Sequence, residues 1–232
     1  MRKRASAKLC EFRAANGIGV TSIFMAKGSG DVDDDECLYT VGLGGKDHPN
    51  LFIDDADLVI TLGFDMVEYH PHLWNPNRDK RILHADFLPA EIDQNYHPEV
   101  ELVGDLANML EQLTLRCREQ GVPSFGLARQ QELRAAFAKE LLEYADDSSE
   151  PQVKQQKALA DVRTNMGPDD ILLSDVDAHK MWIARHYHCH EPITCLIPNG
   201  YCSMGFALPG RSRPASSIPI AGSSRSPAMA DS

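Results

Sequence analysis

The sequence predicts an α/β fold, a doubly wound parallel sheet followed by a second and shorter α/β unit. Three observations predict it. Short apolar runs end in glycine or a charge at 57–63, 81–86 and 100–103, as buried strands do. Stretches of helical periodicity alternate with them, and alternation of this kind gives parallel strands joined by right-handed crossovers. The same pattern restarts after a polar, proline-bearing stretch, Asp146 to Pro151.

Taken in order, residues 1–16 read as the end of a helix with Leu9, Phe12 and Ala15 on one face, and Val20 to Phe24 as a short strand. Gly28, Gly30 and the acidic stretch Asp31 to Glu36 form a loop. A glycine-rich turn, Val41 to Gly45, precedes a short helix from Pro49 to Asp54. The run Asp57 to Gly63 is continuous in apolar residues, which marks a strand buried on both faces. Arg81–Asp86 and Val100–Val103 follow as strands, and 105–119 as a helix carrying Leu106, Met109, Leu110 and Leu113 on one stripe. Residues 127–144 form a further amphipathic helix. Beyond the linker, a helix at 152–165 leads to a strand from Asp170 to Asp175 and a helix from 178 to 187. Ligands in such sheets sit at the carboxyl ends of strands, here Gly63 and Asp86.

Composition narrows the function. A formal net charge of −11 argues against nucleic acid and anionic membrane surfaces as partners. No apolar run is long enough to span a bilayer, and the basic N-terminus lacks the apolar core of a secretory signal, so the cytoplasm is the expected location. The six cysteines show no CxxC pair and read as reduced thiols. His188-Cys189-His190 with Cys195 raises the question of zinc, but its spacing matches no common structural site, and no metal is assigned.

Two stretches carry a resemblance. Asp57 to Asp65 continues through Val67-Glu68-Tyr69-His70-Pro71 and Trp74-Asn75-Pro76 to His84-Ala85-Asp86 and Pro89 to Asp93. This is similar to the central domain of the pyruvate-using thiamine diphosphate enzymes, and the VEYHP…WNP element to their catabolic acetolactate synthase branch. Ser174 to Trp182, with Asn199 to Gly210, resembles the opening of that family's diphosphate-binding domain. The resemblance implies a domain at 1–144, a linker at 145–152, a truncated diphosphate-binding domain at 153–210 and a tail at 211–232.

It also implies a thiamine diphosphate and Mg²⁺ cofactor, pyruvate as substrate and a homo-oligomeric parent enzyme with each active site between two subunits. Carried over by position, Val176, Ala178 and His179 fall at the turn approaching the diphosphate, with Cys202 and Met204 beside the thiazolium. Met204 takes the place of the wedge that bends the cofactor, a task suited to an unbranched apolar side chain. The residues themselves also allow His179 as a surface imidazole in a helix's first turn and Met204 as a core methionine. Glu68 and Asp65 resemble an acid/base pair but lie in the family's non-catalytic domain. His70, His72 and Trp74 read as a loop over the sheet edge. Relatives that bind FAD here use an Arg- and Asp-rich segment; this chain reads Phe64-Asp65-Met66-Val67-Glu68-Tyr69, so no FAD is expected.

The family's Gly-Asp-Gly turn and downstream Asn, the hard ligands Mg²⁺ requires, do not occur after Gly210, nor does the pyrimidine domain with its activating glutamate. The tail is rich in Ser, Pro, Ala and Arg and reads as disordered. Its reading frame shifted one base upstream can encode AIAASIVHPDRRVVAISGDGGF, the family's continuation, which makes a frameshift the expected origin. The sequence therefore reads as an acetolactate synthase fragment that is inactive alone. The alternatives are a non-catalytic nucleotide-binding or interaction module and another thiamine diphosphate-dependent 2-oxo acid decarboxylase, such as one acting on benzoylformate or phenylpyruvate.

Overall fold

The computed structural model describes residues 3–43, 48–143, 145–147 and 152–211. Gly44 and Gly45 of the expected turn, positions 148–151 of the linker and 212–232 of the tail lie outside the described residues. The chain runs α1 (Lys3–Asn16), β1 (Val20–Ser22), β2 (Cys37–Thr40), α2 (His48–Asp54), β3 (Leu58–Leu62), α3 (Pro71–Trp74), β4 (Arg81–Asp86), β5 (Val100–Val103), α4 (Leu106–Glu119) and α5 (Ala128–Leu142). It continues with α6 (Gln155–Thr164), β6 (Leu172–Leu173), α7 (Ala178–His186), β7 (Cys195–Leu196) and α8 (Ala207–Arg211). Every described strand pair is parallel, in three sheets ordered β1-β2, β3-β4-β5 and β6-β7. This is the α/β class the alternation predicts.

The β3–β4 pair explains why its sequence is so continuously apolar. Successive side chains on a strand point to opposite faces. Ile60, Leu62, Leu83 and Ala85 pack under α1 and α4, against Leu9, Phe12, Leu106 and Leu110. Val59 and Ile82 face the other way, into Tyr69, Trp74 and Tyr96. Both faces are covered, as expected, but β3 ends its sheet and begins outside that cover, leaving Leu58 41% exposed.

The second face also holds a polar relay. His84 Nε2 lies 3.1 Å from the Leu88 carbonyl, and its Nδ1 2.8 Å from the Tyr96 hydroxyl. That hydroxyl lies 2.6 Å from Thr61 Oγ1. One assignment satisfies all three groups: Nε2–H donates to the carbonyl, Tyr96 donates to Nδ1, and Thr61 donates to Tyr96. Burial pushes the Tyr96 phenol up to about 12, so it stays a donor.

Helix α4 is delimited by local chemistry. The Asp105 carboxylate accepts the Asn108 amide at 2.9 Å at its start. At its end Gly121 takes φ +62°, and the Gly121 and Val122 amides close on Arg118 and Cys117 carbonyls. Three features differ from the sequence expectations. Residues 37–40, between the expected loop and the glycine-rich turn, form a strand, and 195–196 pair with a β6 of only two residues. His70, His72 and Trp74 build a short helix: the His70 side chain accepts from the His72 amide at its start and Trp74 is buried at its end. Among the described residues no helix is long and apolar enough to cross a membrane.

Leu110 is 1% exposed where α4 meets α1. Leu110→Ala is expected to cost about 2–5 kcal/mol, read as a lower denaturant midpoint with an unchanged slope; a loss under about 1 kcal/mol would remove this contact from the core.

Candidate functional site

The residues singled out near the C-terminal part of the sequence fall on two segments that a single carboxylate ties together. Ser174 and Asp175 follow directly on strand β6. The Asp175 side chain accepts from the amides of Val176 at 2.8 Å, Gly205 at 2.8 Å and Ala207 at 3.4 Å. Those amides stabilise the anion and hold the Asp175 carboxyl below the usual carboxylate range, with Val176 the largest contributor and Gly205 next. The turn carrying Val176 and Ala178 thus sits beside the loop carrying Cys202 and Met204.

Helix α7 begins directly after, with the Asp177 side chain accepting from the Ala178 amide at 2.7 Å. Ala178 and His179 are exposed and Val176 is half-buried. Lys180, one residue on, crosses to the second segment: its Nζ donates to Asn199 Oδ1 at 3.2 Å and to Cys202 Sγ at 3.5 Å, above the ring of Phe24. Cys202 adopts φ +46°, the left-handed region, which turns the chain so that Met204 points outward, 82% exposed, beside a fully open Tyr201. The site is therefore an open shelf of two turns, with apolar side chains on top and carboxylates at the base of α7.

Glu68, read from the sequence as remote from chemistry, stands at this shelf. Its carboxyl is pushed up chiefly by burial, opposed by hydrogen bonding toward Asn199 and raised further by Asp65. One buried carboxylate oxygen, Oε2, and the Asn199 amide nitrogen have no well-formed hydrogen bond. This proximity could not be read from spacing, since 131 positions separate Glu68 from Asn199.

The His188-Cys189-His190…Cys195 cluster does not converge. Cys189 and Cys195 are buried together, with the Cys195 thiol bonded to the Cys189 sulfur; this lowers the Cys189 thiol and raises that of Cys195. His190 turns to Asp31, Nδ1 to Oδ1 2.9 Å, while His188 lies against Tyr39, lowered to about 4 by burial. Among the described residues the one grouping of three metal-capable side chains is Asp31, Asp33 and His190, which meet where two loops approach each other.

Known proteins resemble this chain in both parts. Residues 1–113 match the family model of the thiamine pyrophosphate enzyme central domain. An acetolactate synthase of Bacillus subtilis (strain 168) is 27% identical over 180 residues, 76% of this chain and 31% of its own length. A catabolic acetolactate synthase of Raoultella terrigena is 32% identical over 176 residues, 73% of this chain and 30% of its own. An acetolactate synthase of Mycobacterium bovis (strain ATCC BAA-935 / AF2122/97) is 28% identical over 217 residues, 90% of this chain and 34% of its own. The chain spans about a third of the length of these relatives.

Asp175→Ala removes the acceptor shared by the Gly205 and Ala207 amides, and their hydrogen exchange is expected to accelerate at least about tenfold while that of α4 stays unchanged. Acid has the same effect. A carboxyl whose folded pKa is depressed contributes above its unfolded pKa, and the contribution is lost as pH falls through the folded value. The loop should therefore loosen only below about pH 4; loosening near neutrality would assign the contact to another group.

Proposed function

We propose, from the match of residues 1–113 to the thiamine pyrophosphate enzyme central domain, that the chain is a fragment of an acetolactate-synthase-like carboligase, one that joins two pyruvates into 2-acetolactate with loss of CO₂ and is inactive in this form. The observation that carries the reading is continuity. The likeness to acetolactate synthases runs past the central domain and takes in most of the chain, up to 90% of it.

Thiamine diphosphate, when bound, supplies an electron sink for decarboxylation and carbon–carbon bond formation. The residues of the shelf suit one end of it. Met204 and Tyr201 present open apolar surface on the loop that the resemblance sets beside the thiazolium, and Cys202 between them in sequence is half-buried. They do not suit the other end. Asp175 and Asp177 place carboxylates at the start of α7 and themselves take up the Val176, Ala178 and Gly205 amides, where a diphosphate needs amides and cations. Among the described residues no trio of hard ligands stands there to hold Mg²⁺. His179 is exposed beside these carboxylates, and the neighbouring cation, Lys180, is engaged with Asn199 and Cys202. We assign no catalytic step to this chain; Mg²⁺ binding and cofactor activation belong, in this reading, to other parts of the parent enzyme. FAD has no place in it.

Exposed apolar side chains support the assembled parent. Tyr201, Met204 and Leu208 on the shelf, and Phe87, Leu88 and Ile92 after β4, are all more than half exposed. Surfaces of this kind mark partner contacts, in keeping with a homo-oligomeric parent or with the second reading, an interaction module that pairs with an intact relative. Six free cysteines fit a reducing cytoplasm.

The purified chain with pyruvate, thiamine diphosphate and Mg²⁺ is expected to form no acetolactate above a blank, and calorimetry to detect no saturable cofactor binding. Multiple turnovers from the chain alone would overturn the fragment reading.

A further inference from the structure

Two buried thiols meet beside a small cavity. Cys189 follows α7 and Cys195 opens β7, at the two ends of one turn. Both belong to the core that Phe24 shares with Ile183, Ala184 and Tyr187, at 3% and 0% exposed. There the Cys195 thiol donates to the Cys189 sulfur. The turn is held in place: the Thr194 hydroxyl donates to the Glu191 carbonyl at 2.7 Å, and the Leu172 amide to the Thr194 carbonyl at 2.8 Å. Gly28, at φ +77°, packs its backbone against it, where a Cβ would collide with the Glu191 carbonyl and stand 3.3 Å from Cys189 Cβ.

The two sulfurs differ in charge and in access. The hydrogen bond from Cys195 lowers the Cys189 thiol against the opposing effect of burial, and the Lys27 ammonium lowers it further. The same bond, together with burial, raises the Cys195 thiol. Cys189 also lines a cavity between β1, β2, the Gly28-Ser29-Gly30 loop and α7, and Cys195 does not reach it. The wall carries Lys27, His188 and Cys37, with Arg13 buried in its pairing with Asp34. The volume is about 30 Å³, room for about two waters. A molecule of two linked oxygens fits that space, and a peptide-sized disulfide does not.

We propose that Cys189 and Cys195 form a peroxide-reactive pair, in which Cys189 attacks hydrogen peroxide from the cavity and Cys195 resolves the product as a disulfide. The Cys189 thiolate sulfur bonds to one peroxide oxygen, the O–O bond breaks, and the departing hydroxide takes a proton from solvent and leaves as water. The Cys195 sulfur then attacks the sulfenic sulfur; the S–O bond breaks, and the released hydroxide carries off the Cys195 proton as a second water. Two thiols are oxidised by two electrons, and one peroxide is reduced to two waters. The disulfide closes the turn between α7 and β7. The inference stands on that turn and its cavity and does not depend on the cofactor reading above.

The test uses the full, reduced chain and hydrogen peroxide, with peptide mapping by mass spectrometry. The Cys189–Cys195 disulfide is expected as the first product, formed at least about tenfold faster than any oxidation of Cys37. Cys37 is the internal control, because it lines the same cavity while burial pushes its thiol up. In Cys195→Ser the disulfide is lost and Cys189 accumulates as a sulfenic acid that a cyclic dione traps; Cys189→Ser gives neither product. The unaltered chain decides the pairing whether or not the variants fold. Oxidation of Cys189 no faster than that of Cys37, or a disulfide that forms only in denaturant, overturns the site. A Cys189 sulfenic acid that persists in the unaltered chain overturns the role of Cys195.

Discussion

The structure depends on covering one parallel strand pair from both sides. β3 and β4 alternate Ile60, Leu62, Leu83 and Ala85 with Val59, Thr61, Ile82 and His84, and neither set tolerates water well. One set is met by two helices far apart in sequence, α1 and α4. The other is met by Tyr69, Trp74 and Tyr96, delivered by the segments after β3 and β4. Burying His84 and Thr61 on that face would be costly if they lacked partners. The Tyr96 hydroxyl serves both, so the polar pair becomes a register mark inside an apolar layer. Where the cover stops, at Leu58 and beyond β4 at Phe87 and Leu88, apolar side chains are open.

The second unit is organised differently. Its two paired strands are two residues long, and its order comes from contacts back to the first: Phe24 shares a core with Ile183, Ala184 and Tyr187, and Lys27 holds the carbonyl of Ala184. Asp175 then gathers the 205–207 amides onto the strand end. The shelf so formed brings the five positions expected from the resemblance, Val176, Ala178, His179, Cys202 and Met204, onto two adjoining turns. It surrounds them with apolar surface and the carboxylates of Asp175 and Asp177, and the Lys180 amine that reaches it is engaged with Asn199 and Cys202.

Much of this was legible in the sequence because it is written in short range. Apolar runs at 58–62 and 81–86, Asp105 before α4 and Gly121 after it all act through neighbours a few residues away. The shelf was legible only through family likeness, since neither turn has a periodic signature. What stayed hidden is long-range. Cys37–Thr40 lies in an acidic surrounding and becomes a strand only because β1 pairs with it. The Cys189–Cys195 contact replaces the histidine cluster that adjacency suggested. Arg13 had a readable sign: it follows Leu9 by four positions, on the apolar stripe of α1, yet a charged residue at a helix end is ordinarily exposed.

We propose that residues 1–144 work as a central domain whose chemistry resides in other segments of a larger enzyme. A transplant tests it most directly: residues 1–144 replace the matching segment of the Bacillus subtilis acetolactate synthase, and acetolactate formation is measured on the purified, assembled chimera. The account predicts that the chimera converts pyruvate to acetolactate. A chimera that folds and assembles yet forms none would contradict it.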